Sequence, residues 1–213
     1  YILYNIMVNF IVTADTGSGS MDQYKVSKSM SILNKIHKIN SVLLLGDNIY
    51  EHGVTSVTDP QFKTKFENPY KNINKKFYLC LGNHDYGNSF NLKNNADFQV
   101  SYSDISNKWN MPEKYYSIKG TNYEIFMLDT NLDLFDENTI MKQFHIMSRK
   151  IKNSKKKWKI VCGHHPWRSV GGHGNAERRL EIFFRDLCKF GADFDLYMCG
   201  HDHCKNIILK NHP

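Results

Sequence analysis

Several features are scarce in this 213-residue chain, and each absence excludes a class. No apolar run is long enough to cross a bilayer; the longest candidate, YILYNIMVNFIVTAD at the start, is too short and lacks the basic flank of a secretory leader. Its second half is expected to form the first core strand, with residues 1–7 an upstream extension. Cysteine is limited to Cys80, Cys162, Cys188, Cys199 and Cys204, an odd number with no C-x-x-C pair, which excludes a disulfide framework and a structural zinc site. Cys80, Cys162 and Cys199 lie in apolar runs and read as small buried hydrophobes. There is no internal repeat, no low-complexity block and no N-x-[ST] acceptor site. Acidic residues are outnumbered by basic ones, 21 to 28, and the net charge of +7 suits anionic partners without choosing among them.

What is present is alternation. Apolar runs at 10–14, 42–45, 77–81, 123–128, 158–162 and 196–199 read as buried strands, and 115–118 with 123–128 as a hairpin around Gly120. Between them lie helical patterns. Ser20 to Gln23 fits a capping box, followed by Val26, Met30, Leu33 and Ile36 at helical spacing. Asp59-Pro60 reads as a cap ahead of Phe62 and Phe66. Phe98, Tyr102, Ile105 and Trp109 form a helical stripe, as do Ile140, Phe144, Met147 and Ile151, and Leu180, Phe183, Phe184 and Leu187. Ile207 to Leu209 is strand-like. The run RKIKNSKKKWK is a solvated helix end, and a nucleic-acid patch would want more interleaved aromatics.

Five strands end in glycine and polar residues: D-T-G at 15–17, G-D-N-I-Y at 46–50, G-N-H-D at 82–85, V-C-G-H at 161–164 and G-H-D-H at 200–203. In α/β sheets the carboxyl ends of strands converge on the ligand crevice. Asp15, Asp47, Tyr50, Asn83, His164, His201 and His203 make seven oxygen or nitrogen donors. That is too many for one ion and suits two, with the Asp47 carboxylate as the best bridge. A Tyr50 phenolate suits Fe(III); Asn83 with two histidines suits a divalent ion such as Zn, Fe(II) or Mn.

In this order the motifs resemble the metallophosphoesterase family, and the tyrosine in the second resembles its purple acid phosphatase branch. Longer runs, L-G-D-N-I-Y-E-H-G-V, G-N-H-D-Y-G-N, I-F-M-L-D-T and C-G-H-D-H, are similar to those of the small tartrate-resistant acid phosphatases. The resemblance implies a four-layer α/β/β/α sandwich of two mixed sheets, here a single domain over 8–213 with the C-terminal strands missing. It implies that Asp15, Asp47, Tyr50 and His203 bind a ferric ion, and that Asp47, Asn83, His164 and His201 bind the divalent ion. Asn83, His84 and His173 would contact the substrate phosphate, with His84 and His173 as the catalytic acids for the leaving alcohol. The implied reaction is hydrolysis of phosphomonoesters by attack of a metal-bound hydroxide, with an acidic optimum. The substrate would be a phosphorylated small molecule or phosphoprotein, and the protein a monomer with no membrane span and no nucleic-acid partner. His165, where relatives often carry an aromatic residue, reads as a pocket wall. The competing readings are a phosphodiester or nucleotide hydrolase, against which Tyr50 argues, and a non-catalytic phosphate-binding relative, against which the full donor set argues.

Overall fold

The computed structural model describes residues 7–87 and 94–209. Residues 1–6 of the expected upstream extension, and Asn88 of the G-N-H-D-Y-G-N run, lie outside the described residues. The strands are β1 (Asn9–Thr13), β2 (Ile39–Leu45), β3 (Phe77–Cys80), β4 (Trp109–Asn110), β5 (Tyr116–Lys119), β6 (Tyr123–Met127), β7 (Trp158–Cys162) and β8 (Leu196–Met198). The α-helices are α1 (Met21–Ile36), α2 (Asn94–Ser101), α3 (Glu137–Asn153) and α4 (Arg178–Lys189).

Two four-stranded sheets form, in the orders β1-β2-β3-β4 and β5-β6-β7-β8. The first is parallel throughout. In the second, β5 and β6 form the antiparallel hairpin, and β6, β7 and β8 run parallel. Alternation along β6 sets the layers. Ile125 and Met127 join a core shared with Leu43, Leu45 and Leu79 of the first sheet; Phe126 and Leu128 join a second core with Ile140, Met147, Phe183 and Phe184 of α3 and α4. Met30 of α1, with Phe62, Phe66 and Tyr70, packs against the first sheet. The result is the α/β/β/α arrangement. Tyr116 of β5 ties the sheets together: its buried hydroxyl donates to Leu79 O at 2.8 Å and accepts Leu79 N–H at 3.1 Å.

The register levels the strand ends. Thr13 pairs with Leu44, and Leu45 with Cys80. Met127 pairs with Cys162, and Cys162 with Met198. All the glycine-polar motifs therefore leave their sheets at one edge.

Three expectations from spacing change. The capping box of α1 forms, with Ser20 Oγ accepting Gln23 N–H and Gln23 Oε1 reaching back to Gly19 N–H at 2.7 Å. The apolar stripe of that helix does not face the core: Val26 is 45%, Leu33 43% and Ile36 67% exposed, and only Met30 is buried. The inward face is Gln23, Ser27 and Met30, because Gln23 must reach Lys65 O (2.7 Å) and the Tyr70 hydroxyl (3.4 Å). Trp109 is not helical. Ser106 Oγ accepts the Lys108 and Trp109 N–H groups at 3.2 Å each, ending the helical turns, and Trp109 then pairs with Phe77. Ile207 to Leu209 has no strand partner among the described residues and is exposed.

Candidate metal centre at the strand ends

The donors sit two to five residues beyond their strands, several of them on backbone bent back sharply. Asp15, Asp47, His201 and His203 all have positive φ (58°, 51°, 72° and 49°), a region that costs a non-glycine residue about 1–3 kcal/mol. These are the only non-glycine residues with positive φ among those described, and all four are candidate donors. Two glycines make room. Gly46 has φ 85°, and a Cβ there would strike the His164 ring; a Cβ on Gly82 would strike the Asp47 carboxylate.

The seven side chains come together in two halves joined by Asp47 and His164. In one half, the Tyr50 hydroxyl lies 3.5 Å from Asp15 Oδ1 and 3.2 Å from His203 Nε2, and His203 Nε2 is 3.5 Å from Asp15 Oδ1. In the other, His164 Nε2 lies 3.1 Å from Asn83 Oδ1, 3.2 Å from His201 Nδ1 and 3.4 Å from Asp47 Oδ2. Donor atoms of Asp15, Asp47 and His164 are mutually within 4.8 Å. His201 N–H donates to both Asp15 oxygens at 3.1 Å, which closes the ring of motifs. His164 is fully buried and its Nδ1 donates to Leu45 O at 2.9 Å, so Nε2 is the nitrogen turned to the cluster. A carboxylate pair, a phenol, an amide and three imidazoles with nitrogens aimed inward fit two ions.

His84 and His173 flank this cluster. The His84 N–H donates to Asp47 Oδ1 at 3.1 Å and its ring lies 4.6 Å from that of Tyr50. Its Nδ1 donates to Glu51 O at 2.8 Å, leaving Nε2 toward Asp47. The His173 ring lies 4.4 Å from that of His201.

Charge in the metal-free protein is already arranged for cations. Burial opposes ionisation of Asp47, but hydrogen bonding and charge from His164, with His84, hold its carboxyl down at about 2. Burial also opposes protonation of His164, yet Asp47 and Asp15 outweigh it and raise its pKa. Burial, with the charges of Asp47 and Asp15, pushes the Tyr50 phenol far above its ordinary range. Burial, then the neighbouring His164 and His173, lower His201 to about 4. These carboxylates therefore favour a proton on His164, and a cation held at Nε2 competes with it. Zn²⁺ titrated calorimetrically into metal-free protein near neutral pH, in buffers of differing ionisation enthalpy, should show net proton release. Binding without proton release would mean that neither His164 nor Tyr50 gives up a proton to the ion.

The chain matches the calcineurin-like phosphoesterase family over residues 8–205. It belongs to that family. Among curated relatives of this chain, purple acid phosphatase 17 of Arabidopsis thaliana is 32% identical over 220 residues, covering 92% of this chain and 62% of the relative. The human tartrate-resistant acid phosphatase type 5 is 27% identical over 225 residues, covering 92% and 67%. The chain thus spans about three fifths of the length of its Arabidopsis relatives. Two solved structures share the fold. GAP50, described as the anchor in the inner membrane complex of Plasmodium, superposes with TM-score 0.75 at 22% identity, covering 92% of this chain and 66% of that one. Purple acid phosphatase PPD1 from yellow lupin seeds superposes with TM-score 0.62 at 16% identity, covering 92% and 38%.

The structure of this family member adds residues that the sequence motifs did not single out. Asp85, fully buried, accepts the N–H groups of Asn48, Ile49 and Gly82, and so clamps the second and third motifs together. Asp202, between the two histidines of G-H-D-H, accepts the His173 N–H at 2.7 Å and the Ser169 hydroxyl, which holds the His173 loop against the cluster. Thr130 accepts the N–H groups of His164 and His165. The signal was present for Asp85 and Asp202, since both lie inside motifs already singled out as polar at a buried strand end.

Proposed function

We propose that this protein is a two-metal acid phosphatase acting on phosphomonoesters. The observation that supports this most is Tyr50, whose hydroxyl stands among Asp15, His203 and the Asp47 side of the cluster. A phenol in that half matches a ferric ion, and the amide and imidazoles of the other half match a divalent one. Bound there, the ions would supply Lewis-acid charge and lower the pKa of water. The chain's own residues then have separable roles. Asp15, Asp47, Tyr50 and His203 hold one ion, and Asp47, Asn83, His164 and His201 the other. Asn83, His84 and His173 contact the phosphate. As the P–O bond to the alcohol breaks, a protonated imidazole, His84 at Nε2 or His173, gives its proton to the departing oxygen. Water supplies the oxygen of the new P–O bond, so the products are phosphate and the alcohol. Left-handed backbone at four donors keeps their positions fixed before substrate arrives.

The test is spectroscopic and kinetic together. Protein loaded with iron and zinc should absorb in the visible and hydrolyse p-nitrophenyl phosphate well ahead of bis-p-nitrophenyl phosphate, with an acidic optimum. Tyr50→Phe should lose the visible band. A colourless protein, or one preferring the diester, would move the assignment to another phosphoesterase activity. Phosphate binding without turnover would make it a non-catalytic relative.

A further inference from the structure

His164 and His165 are consecutive, yet the structure gives them opposite tautomers. His164 Nδ1 lies against a backbone carbonyl, which only accepts, so its proton is on Nδ1 and Nε2 is left for the cluster. For His165 the partner is Thr130 Oγ1, 2.9 Å from Nδ1. That hydroxyl oxygen already accepts two backbone N–H groups, from His164 at 3.1 Å and His165 at 3.0 Å. A hydroxyl has two acceptor sites and one proton. With both acceptor sites filled, its proton goes to His165 Nδ1, and the imidazole must carry its own on Nε2.

Nε2 of His165 makes no hydrogen bond among the described residues, and it is not one of the enclosed polar atoms left without a partner, which are Asn34 Oδ1, Asn48 Oδ1 and Ser148 Oγ. It is therefore an open donor. Its ring lies 4.6 Å from that of His201 and 5.0 Å from that of His164, and His201 in turn touches His173. Nitrogens of His164, His165 and His201 are close enough together to share an ion. The tautomer argues otherwise, because the one unprotonated nitrogen of His165, Nδ1, is taken by the Thr130 hydroxyl.

We propose that His165 is a substrate-contacting residue, donating Nε2–H to a phosphoryl oxygen as a third imidazole beside His84 and His173. This goes beyond the wall role expected from sequence, and it rests on the phosphatase reading above. The aromatic expected at this place in relatives would offer shape; His165 adds an aimed N–H, and Thr130 fixes which nitrogen carries the proton.

The test uses metal-loaded protein, with metal content by mass spectrometry and inorganic phosphate affinity by calorimetry. His165→Phe keeps a ring of similar size and is expected to retain both metals while binding phosphate about tenfold more weakly. His165→Gln places an amide N–H near the position of Nε2 and should recover most of the loss. If His165→Phe binds phosphate as tightly as the unchanged protein, His165 is a wall and the inference fails alone. If His165→Phe loses a metal, His165 is a ligand and the inference is overturned in that direction. If the unchanged protein holds two metals but no phosphate, the phosphatase reading and this inference fail together.

Discussion

Asp47→Ala should abolish phosphatase activity, by about 10³-fold or more, and leave fewer than two metals bound. The Asp47 carboxylate is almost completely buried and touches both halves of the cluster. Oδ2 faces His164 Nε2 at 3.4 Å, Oδ1 takes the His84 N–H at 3.1 Å, and the Tyr50 hydroxyl lies within its reach. Removing this carboxylate would take one negative charge from both ions and leave His164 without its nearer buried counter-charge, a loss of several kcal/mol in comparable pairs, about 3–5. Asp47→Asn separates charge from shape. It keeps an oxygen for the His84 N–H, so it should fold, yet it should lose metal nearly as severely. The measurement is metal content beside p-nitrophenyl phosphate turnover. Two tightly held metals and a tenth or more of the activity in Asp47→Asn would sink the bridging role, since about one kcal/mol is then all that the charge contributes.

The parts of this site that were legible in the sequence share a property. Each of the leading donors follows an apolar run with a glycine beside it, before Asp47, Asn83, His164 and His201 and after Asp15, and the chemistry of a buried strand end leaves few uses for a polar residue there. Asp15, Asp47, Asn83, His164 and His201 could be gathered by that rule, and the parallel register then brings the strand ends level. What was not legible depends on which neighbour a face meets. Helical spacing shows that Val26, Met30, Leu33 and Ile36 share a side of α1 but not that this side is turned out; the hold of Gln23 on Lys65 O decides it from 42 residues away. The aromatic spacing ending at Trp109 fits a helix equally well, and only the Ser106 cap and the parallel pairing with Phe77 overrule it. Thr130 carries no local signal, because its importance lies in accepting two N–H groups 34 and 35 residues further on.

Asp85→Ala should destabilise the protein more than any substitution of an exposed cluster residue. The Asp85 carboxylate accepts Asn48 N–H at 2.9 Å, Ile49 N–H at 3.1 Å, Gly82 N–H at 2.8 Å, Asn48 Nδ2 at 3.0 Å and Gln99 Nε2 at 2.9 Å. Alanine leaves three buried backbone donors without an acceptor, each costing about 1–3 kcal/mol, so a total near 4 kcal/mol and a fall in Tm of about 10 °C are expected. The same donors belong to the loops that carry Asp47 and Asn83, so metal affinity should fall by about 10–100-fold although Asp85 need not touch an ion. A pH signature distinguishes this from simple loss of packing. Burial, and then the charge of Asp47, push the Asp85 carboxyl up to about 6, above its ordinary value. Between about pH 4 and pH 6 the folded metal-free protein keeps a proton that the unfolded chain releases, so this group's contribution to stability falls as pH rises through that window. Asp85→Asn cannot titrate and should lack the effect. Urea unfolding of the metal-free proteins across the window should therefore show the stability difference moving toward Asp85→Asn as pH increases. Parallel profiles would mean that Asp85 is ionised throughout, with its five donors outweighing both burial and the neighbouring charge.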